Sequence, residues 1–185
     1  MSLNFPKKNV ALISTRPYER NIALFKELEN KNILLLNHPL TEIKALENYT
    51  EFDLVLHNLG NYQHIIFIST NAVHSFVERF KNLKVRLPNH IIFSSIGPKT
   101  KEALESEFDI SVNCPKDNFD SEHLIKNKIF NNLQNKKVLI IRGTGGRETL
   151  KYMLEEKGAE VDYGECYIRN YLKIEQEKLN RELKN

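Results

Sequence analysis

VLIIRGTGGRETL, residues 138–150, joins a short apolar run to an arginine, a glycine-rich turn and the first residues of a helix-like segment. Buried strand, turn, helix is the repeating unit of a parallel α/β sheet, so this stretch points to the fold class. It also raises a functional question, because a strand end meeting a helix start offers unpaired N–H groups and a dipole that favour an anion. A nucleotide phosphate fits poorly. A P-loop requires a fixed spacer after its first glycine and then Gly-Lys-Ser/Thr. Here Gly143 is followed by Gly145, Gly146 and Arg147, with no Lys-Ser/Thr after them. The dinucleotide spacing G-x-G-x-x-G would need a small residue where Glu148 stands. Two readings stay open at this point: a plain turn with two solvated arginines, or a site in which Arg142 and Arg147 add charge-assisted bonds to a carboxylate or phosphate.

The same alternation runs outward in both directions. Residues 10–14, 33–36, 64–69, 91–94, 110–112, 137–141 and 161–167 read as strands, from their β-branched and apolar content. Residues 18–30, 72–80, 99–107, 121–133 and 148–157 read as helices, the first with Ile22, Leu24, Phe25 and Leu28 along one side. Residues 38–63 show no clear period, and KIEQEKLNRELKN (173–185) is helix-permissive but strongly polar. Helix starts carry suitable residues: Thr70 or Asn71 as caps for 72–80, Pro98 at a first helical position, and Asp120 or Ser121 ahead of Leu124. The expected class is α/β with parallel sheets.

Composition narrows the partners. The chain has 185 residues, 41% apolar and 28% charged, with 27 basic residues nearly balanced by 24 acidic ones for a formal charge of +3. That balance argues against nucleic acid, and any anion binding must be local. Two cysteines, Cys114 and Cys166, build no disulfide framework and no metal-ligand spacing, so neither a metal nor an oxidising compartment is expected. The apolar stretch VALI (10–13) is too short for a signal-peptide core and no run is long enough to span a membrane, which reads as cytoplasmic.

Ligands of open α/β sheets bind at the carboxyl ends of the strands. Four turns fall there: Ser14 to Pro17, Ser69-Thr70-Asn71, Ser95 to Thr100, and Arg142 to Arg147. Each offers hydroxyls or glycines, and three carry a cation. Any one alone serves equally well as a helix cap. Together they suit a ligand with many anionic groups.

STRP (14–17), IFISTNAVHSFV (66–77), SIGPKTKEAL (95–104), DSEHLI (120–125), VLIIRGTGGRETL (138–150) and GAEVDYGECYIRNY (158–171) together resemble, in order, the motifs of bacterial uroporphyrinogen-III synthase. The resemblance implies two Rossmann-like α/β/α domains joined by a two-stranded linker, with the active site between them. Carried onto this chain, it implies a second domain at 39–166 and a discontinuous first domain from 1–38 plus 167–185, lacking the C-terminal strand-helix units of the family. Such a piece would leave Val10, Leu12, Leu34 and Leu36 partly uncovered.

The resemblance also implies a reaction: closure of the linear tetrapyrrole hydroxymethylbilane to uroporphyrinogen III, with loss of water and inversion of ring D, and without a cofactor. The implied catalytic residue is Tyr167, as general acid. The implied substrate-binding residues are Arg16, Ser69, Thr70, Asn71, Gly97, Lys99, Thr100, Arg142, Gly143, Gly145, Gly146 and Arg147, which would clamp the eight substrate carboxylates. A monomer is expected, with a transient contact to the enzyme that forms hydroxymethylbilane. The competing reading is a shortened, non-catalytic module that binds a polycarboxylate or phosphorylated ligand.

Overall fold

The computed structural model describes residues 10–29 and 31–184. In chain order the elements are β1 (Val10–Ser14), α1 (Ile22–Leu28), β2 (Ile33–Asn37), β3 (Thr41–Lys44), α2 (Thr50–His57), β4 (His64–Phe67), α3 (Thr70–Leu83), β5 (Ile92–Ser95), α4 (Pro98–Glu107), β6 (Val112–Asn113), α5 (Ser121–Leu124), β7 (Lys137–Gly143), α6 (Thr149–Glu155), β8 (Glu160–Tyr171) and α7 (Gln176–Lys184). They gather into two compact units. One holds the residues up to 44 and those from 169, and the other is residues 45–168.

In the first unit β1 and β2 pair in parallel, Val10 opposite Ile33 through Ser14 opposite Asn37. Among its described apolar residues only Leu36 and Leu179 are buried, whereas Val10 is 59% exposed. Leu36 was expected to be partly uncovered, and the structure buries it. Asn21, fully buried, accepts from the Ser14 hydroxyl at 2.9 Å and donates to Asn37 Oδ1 at 3.0 Å and to the Arg16 carbonyl at 3.2 Å. Asn37 also donates to the Arg16 carbonyl, at 3.0 Å. The buried amides are thereby satisfied while the backbone of the Thr15-Arg16-Pro17 turn is pinned. β3 lies beside the end of β8, where Asn170 donates to Glu42 at 3.2 Å and the Leu172 N–H to the Leu40 carbonyl at 2.9 Å.

In the second unit the strand order is β8-β7-β4-β5-β6, all parallel. Helices cover both faces, so strand residues alternate between two cores. On one face Ile65, Phe67, Phe93, Leu139 and Ile141 pack with α2, α3 and α4 around Phe76. The other buries Ile66, Val138, Ile140 and Val161 under Leu124, Phe130, Leu150 and Leu154. The expected α/β class with parallel sheets is what the structure shows.

Four local expectations change. The stretch 38–63 is regular: it holds β3 and α2, the latter started by Asn48, whose side chain accepts the Thr50 N–H at 2.8 Å, and anchored by buried Phe52 and Leu56. The helix expected over 121–133 stops at Leu124. Asn127 then adopts an extended backbone and accepts the Ile129 N–H at 3.2 Å, starting a separate 3-10 turn at Lys128–Phe130. Asparagine side chains compete with the helical ladder, which outweighs the apolar spacing there. The cap of α3 is Ser69, which accepts the Ala72 N–H at 3.1 Å, rather than Thr70 or Asn71. Of the helix expected over 18–30, α1 forms the part from Ile22, after a 3-10 turn at Tyr18–Arg20; Asn30 lies outside the described residues, as does Asn185.

Candidate functional site

Beside the carboxyl ends of β4 and β7, and within β8, the chain brings together Ser69, Gly143 and Tyr167. The β7–β8 ladder is regular up to Arg142 opposite Glu165, then skips a residue so that Gly143 faces Tyr167. Such a bulge re-aims a side chain. Up to this point odd-numbered β8 residues such as Val161 and Tyr163 join one core, yet Tyr167 joins the other, alongside its neighbour Cys166. The phenol ring lies close against Gly143: a Cβ there would stand 2.5 Å from Tyr167 Cε2 and 2.7 Å from Cζ. Only a glycine permits that approach. The Tyr167 hydroxyl meets Ser69 Oγ at 3.2 Å, and the Thr144 N–H donates to the Tyr167 carbonyl at 2.8 Å. Tyr167 is 2% exposed.

The turn after β7 is held from below. Arg142, 3% exposed, donates from Nη1 to Glu148 Oε1 at 3.2 Å and from Nε to the Gly143 carbonyl at 3.2 Å, with its guanidinium 4.4 Å from the centre of the Tyr163 ring. The Tyr163 hydroxyl donates to the other Glu148 oxygen at 2.7 Å. That bond holds the Glu148 carboxyl below its usual range; desolvation partly opposes it and Arg142 reinforces it. Burial, followed by Glu148, pushes the Tyr163 phenol up. Glu165 accepts the Gly145 N–H at 3.1 Å. Two of the N–H groups that the sequence reading offered to a ligand, those of Thr144 and Gly145, therefore have partners within the chain. Those of Gly146 and Arg147 have none among the described residues, and Gly145, Gly146 and Arg147 are exposed.

The other expected residues divide as follows. Thr70 and Asn71, half-buried, form the first turn of α3 beside Ser69. Gly97 is the N-cap of α4, next to the β4 end through the Ile96 N–H bond to the Phe67 carbonyl at 3.2 Å. Lys99 is exposed, whereas Thr100 is buried and its N–H turns back to the Gly97 carbonyl at 3.1 Å. Arg16 is exposed on the first unit. Glu148, Tyr163 and Glu165 are the residues that the strand-end reading missed. Their signal would have been the register of β8 on β7, which sets Glu165 opposite Arg142. No group of His, Cys, Asp and Glu able to hold a metal ion occurs among the described residues, and none of their helices is long and apolar enough to cross a membrane. Cys166, at the bulge, is bonded to the carbonyls of Ala72 and Arg142, and burial pushes its thiol up to about 12. It is a packing residue rather than a nucleophile.

Comparison with known proteins decides the family. Residues 23–185 match the family described as uroporphyrinogen-III synthase HemD. The chain belongs to the uroporphyrinogen-III synthase family. It is 28% identical over 176 residues to uroporphyrinogen-III synthase of Proteus mirabilis, covering 95% of this chain and 88% of that protein. It is likewise 28% identical to the Escherichia coli uroporphyrinogen-III synthase, over 86% of this chain and 65% of the relative. A uroporphyrinogen III synthase of Thermus thermophilus superposes with a TM-score of 0.70 at 15% identity, over 88% of this chain and 64% of that one. The Helicobacter pylori uroporphyrinogen-III synthetase does so with a TM-score of 0.54 at 20% identity, over 80% and 61%. The chain thus spans a little under two thirds of the Escherichia coli and Thermus uroporphyrinogen-III synthases.

Proposed function

We propose that this chain acts as a lyase of tetrapyrrole biosynthesis in the cytoplasm, closing hydroxymethylbilane to uroporphyrinogen III with ring D inverted and one water released. The observation that carries the reading is the Tyr167 phenol, seated on Gly143 at the strand ends and hydrogen-bonded to Ser69. Ser69 Oγ accepts the Ala72 N–H and stands 3.2 Å from the Tyr167 oxygen, where either hydroxyl can donate; in this mechanism Ser69 is the donor. That leaves the phenolic proton for the departing hydroxyl of the substrate. As the C–O bond breaks, Tyr167 gives its proton to the departing hydroxyl, so that water leaves and an azafulvenium cation remains beside the phenolate; the terminal ring then attacks through its substituted carbon, the resulting spiro intermediate fragments and recloses with that ring reversed, and the proton displaced from the ring carbon at closure restores the phenol. General acid assistance of this kind contributes about 10²–10⁴-fold. The rest of the task is to hold one folded conformer of a flexible chain, which is catalysis by positioning.

In this reading the carboxylates of the bilane meet Ser69, Thr70, Asn71, Gly97, Lys99, Thr100 and the Gly143–Arg147 turn of the second unit, and Arg16 of the first. Arg147 is the outward cation of the turn, while Arg142 supports it from inside. The units would correspond to a domain of residues 39–166 and a discontinuous one built from 1–38 and 167–185. The chain would work as a monomer without a cofactor, receiving its substrate from the hydroxymethylbilane-forming enzyme. The test supplies freshly generated hydroxymethylbilane and separates the oxidised porphyrins by isomer. An excess of isomer III over the enzyme-free control supports the proposal. Isomer I alone, from folded protein, sinks it in favour of a non-catalytic module that binds polycarboxylates.

A further inference from the structure

We infer that Glu165 is a positioning residue for the Gly143–Arg147 turn: an internal carboxylate that fixes the turn before any ligand arrives. The inference rests on the proposal that this turn meets a carboxylated substrate. Its structural basis is the convergence of several contacts on one carboxylate and the arginine beside it. Glu165 sits directly opposite Arg142 in the parallel ladder, an opposite-charge pair on neighbouring strands. Its Oε1 accepts the Gly145 N–H at 3.1 Å and lies 3.8 Å from Arg142 Nε. Arg142 is closed in on its other sides by Glu148, the Tyr163 ring and the Gly143 carbonyl. Gly146, at φ +107°, rests on the guanidinium so closely that a Cβ would stand 2.8 Å from Nη2.

The charge of Arg142 is therefore balanced within the chain, and the turn is tied at Gly145, to Glu165, while Gly146 packs against the Arg142 guanidinium. Glycine-rich backbone loses more conformational freedom on ordering than any other. A turn left free would have to be ordered by its ligand, at the expense of affinity; one ordered in advance avoids that cost. Glu165 thereby fixes the direction of Arg147 and of the Gly146 and Arg147 N–H groups, without itself touching substrate. Its loss should weaken substrate binding and leave the chemical step intact.

The test uses the full 185-residue chain as wild type, Glu165→Ala and Glu165→Gln. The first readout needs no activity: the amide resonances and heteronuclear NOEs of residues 144–147 by NMR. In Glu165→Ala the Gly145 amide should move upfield and the NOEs of the turn should fall, with those of Leu139 and Ile141 unchanged. Glu165→Gln, whose amide oxygen can still accept from Gly145, should lie between. A Gly145 resonance and NOE that do not move in Glu165→Ala overturn the inference, and if that variant does not fold, an unmoved Gly145 resonance in Glu165→Gln does so. The second readout is kinetic. KM for hydroxymethylbilane should rise roughly tenfold to a hundredfold in Glu165→Ala, the size of one charge-assisted hydrogen bond, with kcat held within about twofold and partial recovery in Glu165→Gln. A fall in kcat at unchanged KM overturns it. A wild-type chain that yields no isomer III overturns the functional proposal instead, and the NMR readout alone then decides the role of Glu165.

Discussion

The Tyr167 hydroxyl and Ser69 Oγ lie 3.2 Å apart although 98 residues separate them in sequence. Replacing Tyr167 by Phe removes the proton and the hydroxyl while keeping the ring on Gly143. We expect isomer III formation to fall by about 10²–10⁴-fold with the melting temperature little changed. Isomer analysis beside a thermal melt checks this. Activity near that of the wild type in Tyr167→Phe would remove the phenol from the chemistry.

Gly143→Ala tests the seat of that ring. The added Cβ would meet Tyr167 at 2.5 Å, so the ring or the strand must shift. Overpacking of this sort costs about 1–3 kcal/mol. The cost should largely vanish in a Tyr167→Ala background, because the clash has a single partner ring. Urea denaturation of the two single variants and the double variant measures the coupling.

Phe76 holds the larger unit together. Its ring stacks on Phe80 at 5.5 Å and meets Phe67 edge-on at 5.1 Å, with Phe52 and Phe108 at 6.4 and 6.3 Å. Phe76→Ala should cost about 3–5 kcal/mol, and Phe76→Leu less, because it leaves a smaller cavity. Equilibrium unfolding of both variants orders them.

His64 gives the fold a sensitivity to acid. Its ring is buried against Phe130, centroids 5.4 Å apart, and Nδ1 has no partner among the described residues. Burial first, and the charge of Lys136 second, lower its pKa from 6.5. The unfolded chain then takes up a proton more readily than the folded one, so the contribution of neutral His64 is complete above pH 6.5 and is lost as pH falls toward the folded value. His64→Leu should flatten this dependence. Urea midpoints at about pH 7.5 and about pH 5.5 for both proteins supply the comparison.

The strand-end turns were legible because their signals are local: an apolar β-branched run, then a hydroxyl or glycine, then a helical period. Ser69, Gly97 and Gly143 all stand at such ends. What escaped depends on register. Glu165 sits opposite Arg142 only because β8 lies beside β7 in one alignment, and one sequence carries no record of that alignment. Arg142 read as a ligand-facing cation for the same reason, since its enclosure by Glu148 and Tyr163 comes from a strand and a helix start brought together by the fold. The region 121–133 failed differently. Leu124, Ile125, Phe130 and Leu133 are all buried, so the apolar spacing was informative about the core, but Asn127 broke the backbone that would have made it a helix.

The residue skipped between Arg142 and Gly143 in the ladder has an evolutionary corollary. Because two neighbours, Cys166 and Tyr167, point into the same core, what the site inherits there is a count of residues rather than a particular side chain at 166. Exchange of Cys166 for another small apolar residue should therefore pass as a neutral drift. A ladder that closed up there without losing a residue, setting Gly143 opposite Cys166, would straighten β8, turn the phenol toward the opposite core and separate it from Ser69.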